Sequence, residues 1–295
     1  MTAGIPVPDP PVIDSHVHLW DPRQLDYPWL PGTALDRPFL PEDLEPLLPS
    51  AAGVVFVEAG RVPQQAGAEI EWIRDAARTR PWIRGAVAHV SLEAGSATGE
   101  LIRRHGEDPF VVGVRRNIQD EAAGLTADPE FRTGVRLLGD AGLPFDACVR
   151  AGQLDELDEL AAACPQTAIV LDHLGKPAVG GTGDAAWRHA LERLSRHPHL
   201  VCKLSGLATE AAPGQATPQL LRRYLEVALE VFGPDRCLFG SDWPVMTLAI
   251  DYRGWLDLVL DALTGQTAQA VDAVLRGNAA RVYRLPDDPF GKDLA

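Results

Sequence analysis

The chain has 295 residues, of which 46% are hydrophobic and 23% charged, and its formal net charge at pH 7 is −14. These proportions are those of a globular protein with a large core, and the length fits two ordinary domains or one large α/β barrel. The negative charge argues against nucleic acid and anionic membranes as partners, but it leaves room for a small-molecule ligand, because nearby charges dominate inside a site.

The four cysteines are scattered along the chain without a C-x-x-C pair, at Cys148, Cys164, Cys202 and Cys237. This distribution favours reduced thiols and a reducing compartment over a disulfide framework. The first residues have neither a basic nor an apolar leader segment, and no apolar run approaches about 18 residues. We therefore expect a cytoplasmic protein without a membrane span.

The first predicted strand, residues 12–18, ends in a His-x-His pair. Alternate side chains of a strand share a face, so His16 and His18 should point the same way and could hold one divalent metal. Alone, the pair is a weak signal, because histidines on a surface strand are often incidental. Residues 19–38 follow, with four prolines and several aromatic residues, and a loop of this length is usually functional or disordered.

Seven further apolar runs predict strands at residues 53–59, 83–90, 110–118, 143–149, 167–173, 200–207 and 237–242. Helices are predicted at residues 41–48, 69–78, 153–163, 185–196, 218–232, 252–263 and 268–285. Continuous hydrophobicity is typical of parallel strands buried on both faces. Eight such units predict a single-domain α/β protein, a (β/α)₈ TIM barrel over residues 11–285 with tails at 1–10 and 286–295. A doubly wound open sheet is the alternative, although no G-x-G-x-x-G follows the first strand.

Polar residues recur where these strands end, and a barrel brings such ends together in one mouth. They are His16, His18, Glu58, His89, Arg115 or Arg116, Asp146, His173, Lys203 and Asp242. Three imidazoles and one carboxylate (His16, His18, His173 and Asp242) suit one catalytic divalent ion, zinc first of all, with an open water position. Taken singly, His173 could equally bond a backbone carbonyl, and Asp242 could cap a turn.

Five segments resemble the lactonase branch of the amidohydrolase superfamily, which includes sugar-acid lactonases and the pyrone-dicarboxylate lactonase. They are residues 13–22, 113–117, 171–177, 203–207 and 239–244, in order along nearly the whole chain. The resemblance implies a TIM barrel that opens a lactone, with His16, His18, His173 and Asp242 at the superfamily's site positions. The bridging lysine or histidine of binuclear members is not evident, so we expect one metal ion, or none as in some members of the branch.

On this reading Asp242 is the general base that activates water and then protonates the leaving oxygen. The histidines, with His173 as a catalytic residue, either bind the metal or donate hydrogen bonds to the carbonyl oxygen. Arg115, Lys176, Trp20, Glu58 and Trp243 are the predicted substrate contacts. An ion pair with Glu58 is the alternative for Arg115, and one with Asp146 is the alternative for Lys203.

The leading hypothesis is a lactonase for an aldonolactone such as L-fucono- or L-rhamnonolactone. A metal-dependent decarboxylase of a neighbouring branch is a second enzymatic interpretation, and a barrel that only binds ligands is a third. The sequence indicates neither the particular sugar nor the oligomeric state.

Overall fold

A computed structural model of the chain describes residues 10–285, so the predicted tails lie outside the described residues apart from Pro10. Eight parallel strands form one sheet in the order β1 to β8. They span Val12–Val17, Ala52–Val57, Ile83–His89, Val111–Arg115, Phe145–Ala147, Ile169–Leu171, Leu200–Leu204 and Cys237–Phe239. The predicted (β/α)₈ barrel is confirmed.

Ten α-helices among the described residues surround or follow the strands. Helices α1 to α10 span Pro41–Leu44, Ala66–Ala77, Ser96–Glu107, Pro129–Ala141, Leu154–Ala163, Asp184–Leu194, Pro218–Phe232, Tyr252–Ala262, Ala268–Asp272 and Asn278–Val282. A π-helical turn, Ala273–Gly277, joins α9 and α10 and divides the single helix predicted over residues 268–285. Helices α3 and α4 were not predicted, and both contain glycines. At Gly134 in α4 a Cβ would lie 2.4 Å from the carbonyl oxygen of Leu92. Close packing therefore requires glycine at this position, although glycine weakens the helical sequence pattern.

Apolar side chains form two layers. The larger cluster lies between the strands and the helices, and a smaller one lies inside the barrel, formed by alternate strand residues such as Val55, Val87, Val170 and Val201. Tyr283, just after α10, joins the inner cluster and is fully buried. The interior is therefore packed from below, and the candidate-site cavity opens at the carboxyl ends of the strands.

The first strand contains an irregularity that redirects its histidines. Its pairing with β2 shifts between Asp14 and Val17, so three steps on β1 match two on β2. Ile13 belongs to the inner cluster and Val17 to the outer one, which strict alternation would not allow. The bulge thereby turns His16 into the barrel, as bulges beside functional sites commonly do.

The barrel closes between β8 and β1 through the segments that carry the predicted site. The backbone N–H of Asp242 donates to the His16 carbonyl at 2.8 Å, and that of His18 donates to the Trp243 carbonyl at 2.7 Å. Buried side chains strengthen this seam: the Ser15 hydroxyl donates to the Phe239 carbonyl at 2.6 Å, and Asp14 accepts from the Ser241 N–H at 2.8 Å.

No helix in residues 10–285 combines the length and apolar character needed to cross a bilayer. The four cysteines are buried free thiols.

Candidate metal and catalytic site

His16, in β1, and His18, just after it, converge as their spacing predicts. Their Nε2 atoms are 3.1 Å apart, and both side chains are buried. The Nδ1 atom of His18 lies 2.8 Å from the Val57 carbonyl, which can only accept, so this contact places the proton on Nδ1. The lone pair on His18 Nε2 is thereby left to face His16 and the cavity.

Asp242 faces the same point from the opposite side of the seam. Its Oδ1 atom lies 3.4 Å from His18 Nε2 and 3.8 Å from His16 Nε2. The residue has a φ of 67°, in the left-handed region that a non-glycine residue seldom adopts. Backbone strain of this kind is characteristic of functional sites, and here it turns the carboxylate toward the two imidazoles.

His173 completes the cluster from the end of β6, where the chain leaves the strand in an unusual path. Residues 173–176 all have positive φ values, and the imidazole of His173 lies 4.4 Å from that of His16, centroid to centroid. The Nδ1 atom of His173 contacts the Ser205 hydroxyl at 2.9 Å. At Gly206 a Cβ would lie 2.3 Å from His173 Nδ1 and 3.0 Å from Asp242 Oδ2, so only glycine leaves room for both side chains.

A buried group of charges lies beneath the histidines. The Lys203 ammonium pairs with Asp146 at 2.5 Å and with Asp172 at 3.2 Å, which confirms the alternative given for Lys203. Tyr283 donates its hydroxyl to Asp146 from below. Asp172 Oδ1 also lies 3.2 Å from His16 Nδ1, and the Lys203 ammonium lies at the same distance from that nitrogen.

The protonation of the site follows from its burial. Desolvation, reinforced by the Lys203 charge, lowers the pKa of His16 well below its usual value, and desolvation lowers the pKa of His173 in the same way. Burial raises the pKa of Asp172, but the neighbouring groups, Lys203 first among them, together outweigh burial, so the net shift is downward. Neutral imidazoles beside an ionised carboxylate are the state in which such residues bind a metal.

These residues fit a divalent ion. His16, His18 and Asp242 each offer one ligand atom, and the three atoms lie within 4.8 Å of one another. The Asp172 carboxylate, 3.2 Å from His16 Nδ1, supports the same conclusion, since metal-binding histidines usually donate their other N–H to a carboxylate. His16, Asp172 and His173 form a second group of the same kind.

A cavity of about 320 Å³ opens above this cluster. Its lining includes His18, His173, Asp242, Arg115, Lys176, Trp29, Ala59, Gly60, Asn117, Gln119, Asp120, Cys148 and Val245. A volume of this size suits a ligand of one small ring with substituents. Two of the predicted substrate contacts, Arg115 and Lys176, are therefore at the cavity, and Lys176 also lies 3.5 Å from Glu210.

Arg115 is held in place by a buried chain of charges at the end of β2. Its Nε donates to Glu58 Oε1 at 2.7 Å, and its Nη2 donates to the Glu58 carbonyl oxygen. Arg61 lies between Glu58, at 3.3 Å, and Glu69, at 3.5 Å. Burial, together with repulsion by Glu58, raises the pKa of Glu69 to about 8. The predicted alternative for Arg115, an ion pair with Glu58, is present, and Arg115 lines the cavity at the same time.

The other predicted substrate contacts lie elsewhere. Glu58, Trp20 and Trp243 are buried and are not among the cavity-lining residues in the described part of the chain. Trp20 donates its indole N–H to the Arg37 carbonyl, and Trp243 packs against Phe39. The sequence predicted a functional role for the aromatic loop, but it did not predict that Trp29 is the residue of this loop that lines the cavity. Asn117 and Gln119, just beyond β4, were also missed, because neutral amides in loops give no distinctive signal.

A barrel with two histidines where its first strand ends and an aspartate after its last, all at the mouth, has the arrangement of a hydrolytic barrel enzyme with a possible metal site. Residues 13–285 match the family model described as Amidohydrolase, so the chain belongs to this family. It is 35% identical over 294 residues to an L-fucono-1,5-lactonase of Burkholderia ambifaria, with 96% of this chain and 98% of the relative covered. It is 36% identical over 291 residues to an L-fucono-1,5-lactonase of Burkholderia multivorans, with 93% and 96% covered.

A solved structure of an amidohydrolase from Burkholderia multivorans with bound zinc matches the fold with a TM-score of 0.84 at 34% identity. The match covers 94% of this chain and 100% of that one. The predicted membership of the amidohydrolase superfamily and its lactonase branch is confirmed.

Proposed function

We propose that the protein is a lactonase that opens the ring of a sugar-acid lactone. The observation that carries the proposal is the convergence of Asp242 and two imidazoles at the base of a cavity of about 320 Å³. The similarity to two L-fucono-1,5-lactonases over nearly the whole chain supports the same reaction and favours a 6-deoxyaldonolactone as substrate.

His16, His18 and Asp242 would hold one divalent ion, with His173 beside them, and the zinc in the related amidohydrolase structure favours zinc. When bound, such an ion polarises a carbonyl oxygen and lowers the pKa of a water molecule. Asp172 Oδ1 and the Lys203 ammonium both lie 3.2 Å from His16 Nδ1. With an ion on Nε2, the Asp172 carboxylate would accept the proton that His16 then carries on Nδ1.

Asp242 is the residue that moves protons in the proposed reaction. Its carboxylate takes a proton from the attacking water as the new C–O bond forms at the lactone carbonyl. When the ring C–O bond breaks, the same carboxyl group delivers that proton to the leaving ring oxygen, which becomes a hydroxyl. Water is consumed, and the product is the open-chain hydroxy acid. His173, at the cavity wall, is placed to assist by polarising the carbonyl.

The remaining polar groups of the cavity are suited to the hydroxyls of a sugar. Arg115 is fixed by Glu58, Lys176 is a second cation at the wall, and the side-chain amides of Asn117 and Gln119 can both donate and accept. Because Glu58 pre-orients Arg115, little conformational entropy is lost when a ligand binds to the guanidinium.

The direct test is a panel of five- and six-membered aldonolactones followed by acid release with a pH indicator, using protein of measured metal content. We expect ring opening far above the spontaneous rate for at least one six-membered 6-deoxyaldonolactone. Failure to open any member, with the metal present, would refute the proposal. Carbon dioxide release from an aromatic carboxylic acid in the absence of lactone opening would instead identify a decarboxylase.

A further inference from the structure

Trp29 is the one large aromatic side chain that lines the cavity in the described part of the chain. It is 39% exposed, although the other aromatic residues of its loop, Trp20, Tyr27 and Phe39, are buried. An indole that is partly open at the wall of a site offers a large apolar face to a ligand.

The surrounding residues hold this indole in one orientation. Its Nε1 donates to the Ala59 carbonyl at 2.8 Å, and Trp20 packs against it at a centroid distance of 5.1 Å with an interplanar angle of 82°. Gly60 lies alongside with a φ of 72°, and a Cβ there would come within 3.2 Å of Trp29 Nε1. The ring is therefore fixed before any ligand arrives, and its exposed part faces the cavity that also contains His18 and Asp242.

We propose that Trp29 is a specificity-determining residue, a stacking platform for the apolar C–H face of the lactone ring. The polarised C–H bonds of a sugar ring carry partial positive charge, which the electron-rich face of an indole attracts. Arg115, Lys176 and Asn117 then bind the hydroxyl-bearing edge of the same ring. This inference rests on the proposed lactonase activity and identifies the residue that binds the apolar face of the lactone ring.

The platform contacts parts of the substrate that do not react, so it stabilises the ground state and the transition state alike. Its loss should therefore raise KM and leave kcat unchanged. Trp29→Leu removes the aromatic face but keeps an apolar side chain, whereas Trp29→Phe keeps a smaller face. Trp72→Leu is the matched control, because Trp72 is partly buried on the outer helix α2.

The experiment measures kcat and KM on the best sugar-acid lactone, together with calorimetric Kd values for the corresponding lactam, an unreactive ring analogue. We expect Trp29→Leu to raise KM and the lactam Kd about tenfold with kcat within about twofold of wild type. Trp29→Phe should recover most of the affinity, and Trp72→Leu should change nothing.

Three results would overturn the platform: an unchanged KM and Kd in Trp29→Leu, a Trp29→Phe variant as weak as Trp29→Leu, or a fall confined to kcat. The second would mean that the indole acts through its hydrogen bond to Ala59, and the third that it acts on the transition state alone. Lactam binding that weakens in Trp29→Leu while wild type opens no lactone would leave the platform standing and refute the proposed reaction.

Discussion

Replacing Asp242 by asparagine tests the basicity of this side chain separately from its size and shape. The substitution keeps the size and polarity of the side chain but removes the group that accepts the proton of water. One positioned acid–base group is worth about 10²–10⁴ in rate, which corresponds to roughly 2.7–5.4 kcal/mol of transition-state stabilisation. We expect kcat on the best lactone to fall by that factor.

The structure indicates that the fold will tolerate this change. The backbone of Asp242 makes the local contacts: its N–H donates to His16, and its carbonyl accepts from Met246 at 3.0 Å. Asparagine also adopts the left-handed conformation at least as readily as aspartate. Circular dichroism and the urea midpoint should therefore stay near the wild-type values.

Loss of the carboxylate also removes a candidate metal ligand, so turnover has to be compared at equal metal occupancy. Metal content is measured in each sample, and Asp257→Asn, on the exposed face of α8, serves as the matched control. A folded, metal-loaded Asp242→Asn protein whose kcat lies within about tenfold of wild type would refute the assignment of Asp242 as the base.

Three further predictions concern the groups that support the site. Asp172→Asn should weaken metal binding by about 10–100-fold in competition with a chelator, because His16 loses the carboxylate beside Nδ1; unaltered affinity would contradict that role. Lys203→Met should lower the free energy of unfolding by about 3–5 kcal/mol in urea titrations, since Asp146 and Asp172 are left buried without their cation; a loss below about 1 kcal/mol would contradict it. The pKa of Glu69, raised from 4.5 to about 8 by burial, means that the native state holds an extra proton between these pH values, so wild-type stability should fall as the pH rises through this interval. Glu69→Gln should flatten that part of the stability–pH curve, and an unchanged slope would count against it.

The sequence predicted the barrel because its strands are apolar on both faces and recur with helices between them. It also placed His16, His18, His173 and Asp242 together, because barrel strands all end at one mouth. The predicted strands extend beyond the real ones at their carboxyl ends: β6 ends at Leu171, not at residue 173, and β8 ends at Phe239, not at residue 242. The chain departs from extended geometry there to direct side chains into the site, and hydrophobic periodicity carries no information about such turns.

Other features depend on relations that a linear pattern does not record. The bulge in β1 is fixed by pairing with β2, and the Asp172 contact with His16 depends on how far the strands are staggered. Trp20 and Trp29 are the same kind of residue and lie in the same loop, so the sequence pattern does not distinguish them. Only the packing of that loop determines which indole is buried and which meets the cavity.

The seam between the first and last strands has a consequence for how the protein becomes active during synthesis. Contacts such as Ser15 with Phe239 and Ser241 with Asp14 join residues 224 and 227 positions apart. A nascent chain therefore carries both histidines long before it carries the carboxylate opposite them, because more than 200 residues separate them. We expect catalytic competence only once that segment is present, and a chain truncated before β8 should lose the reaction centre and the barrel closure together.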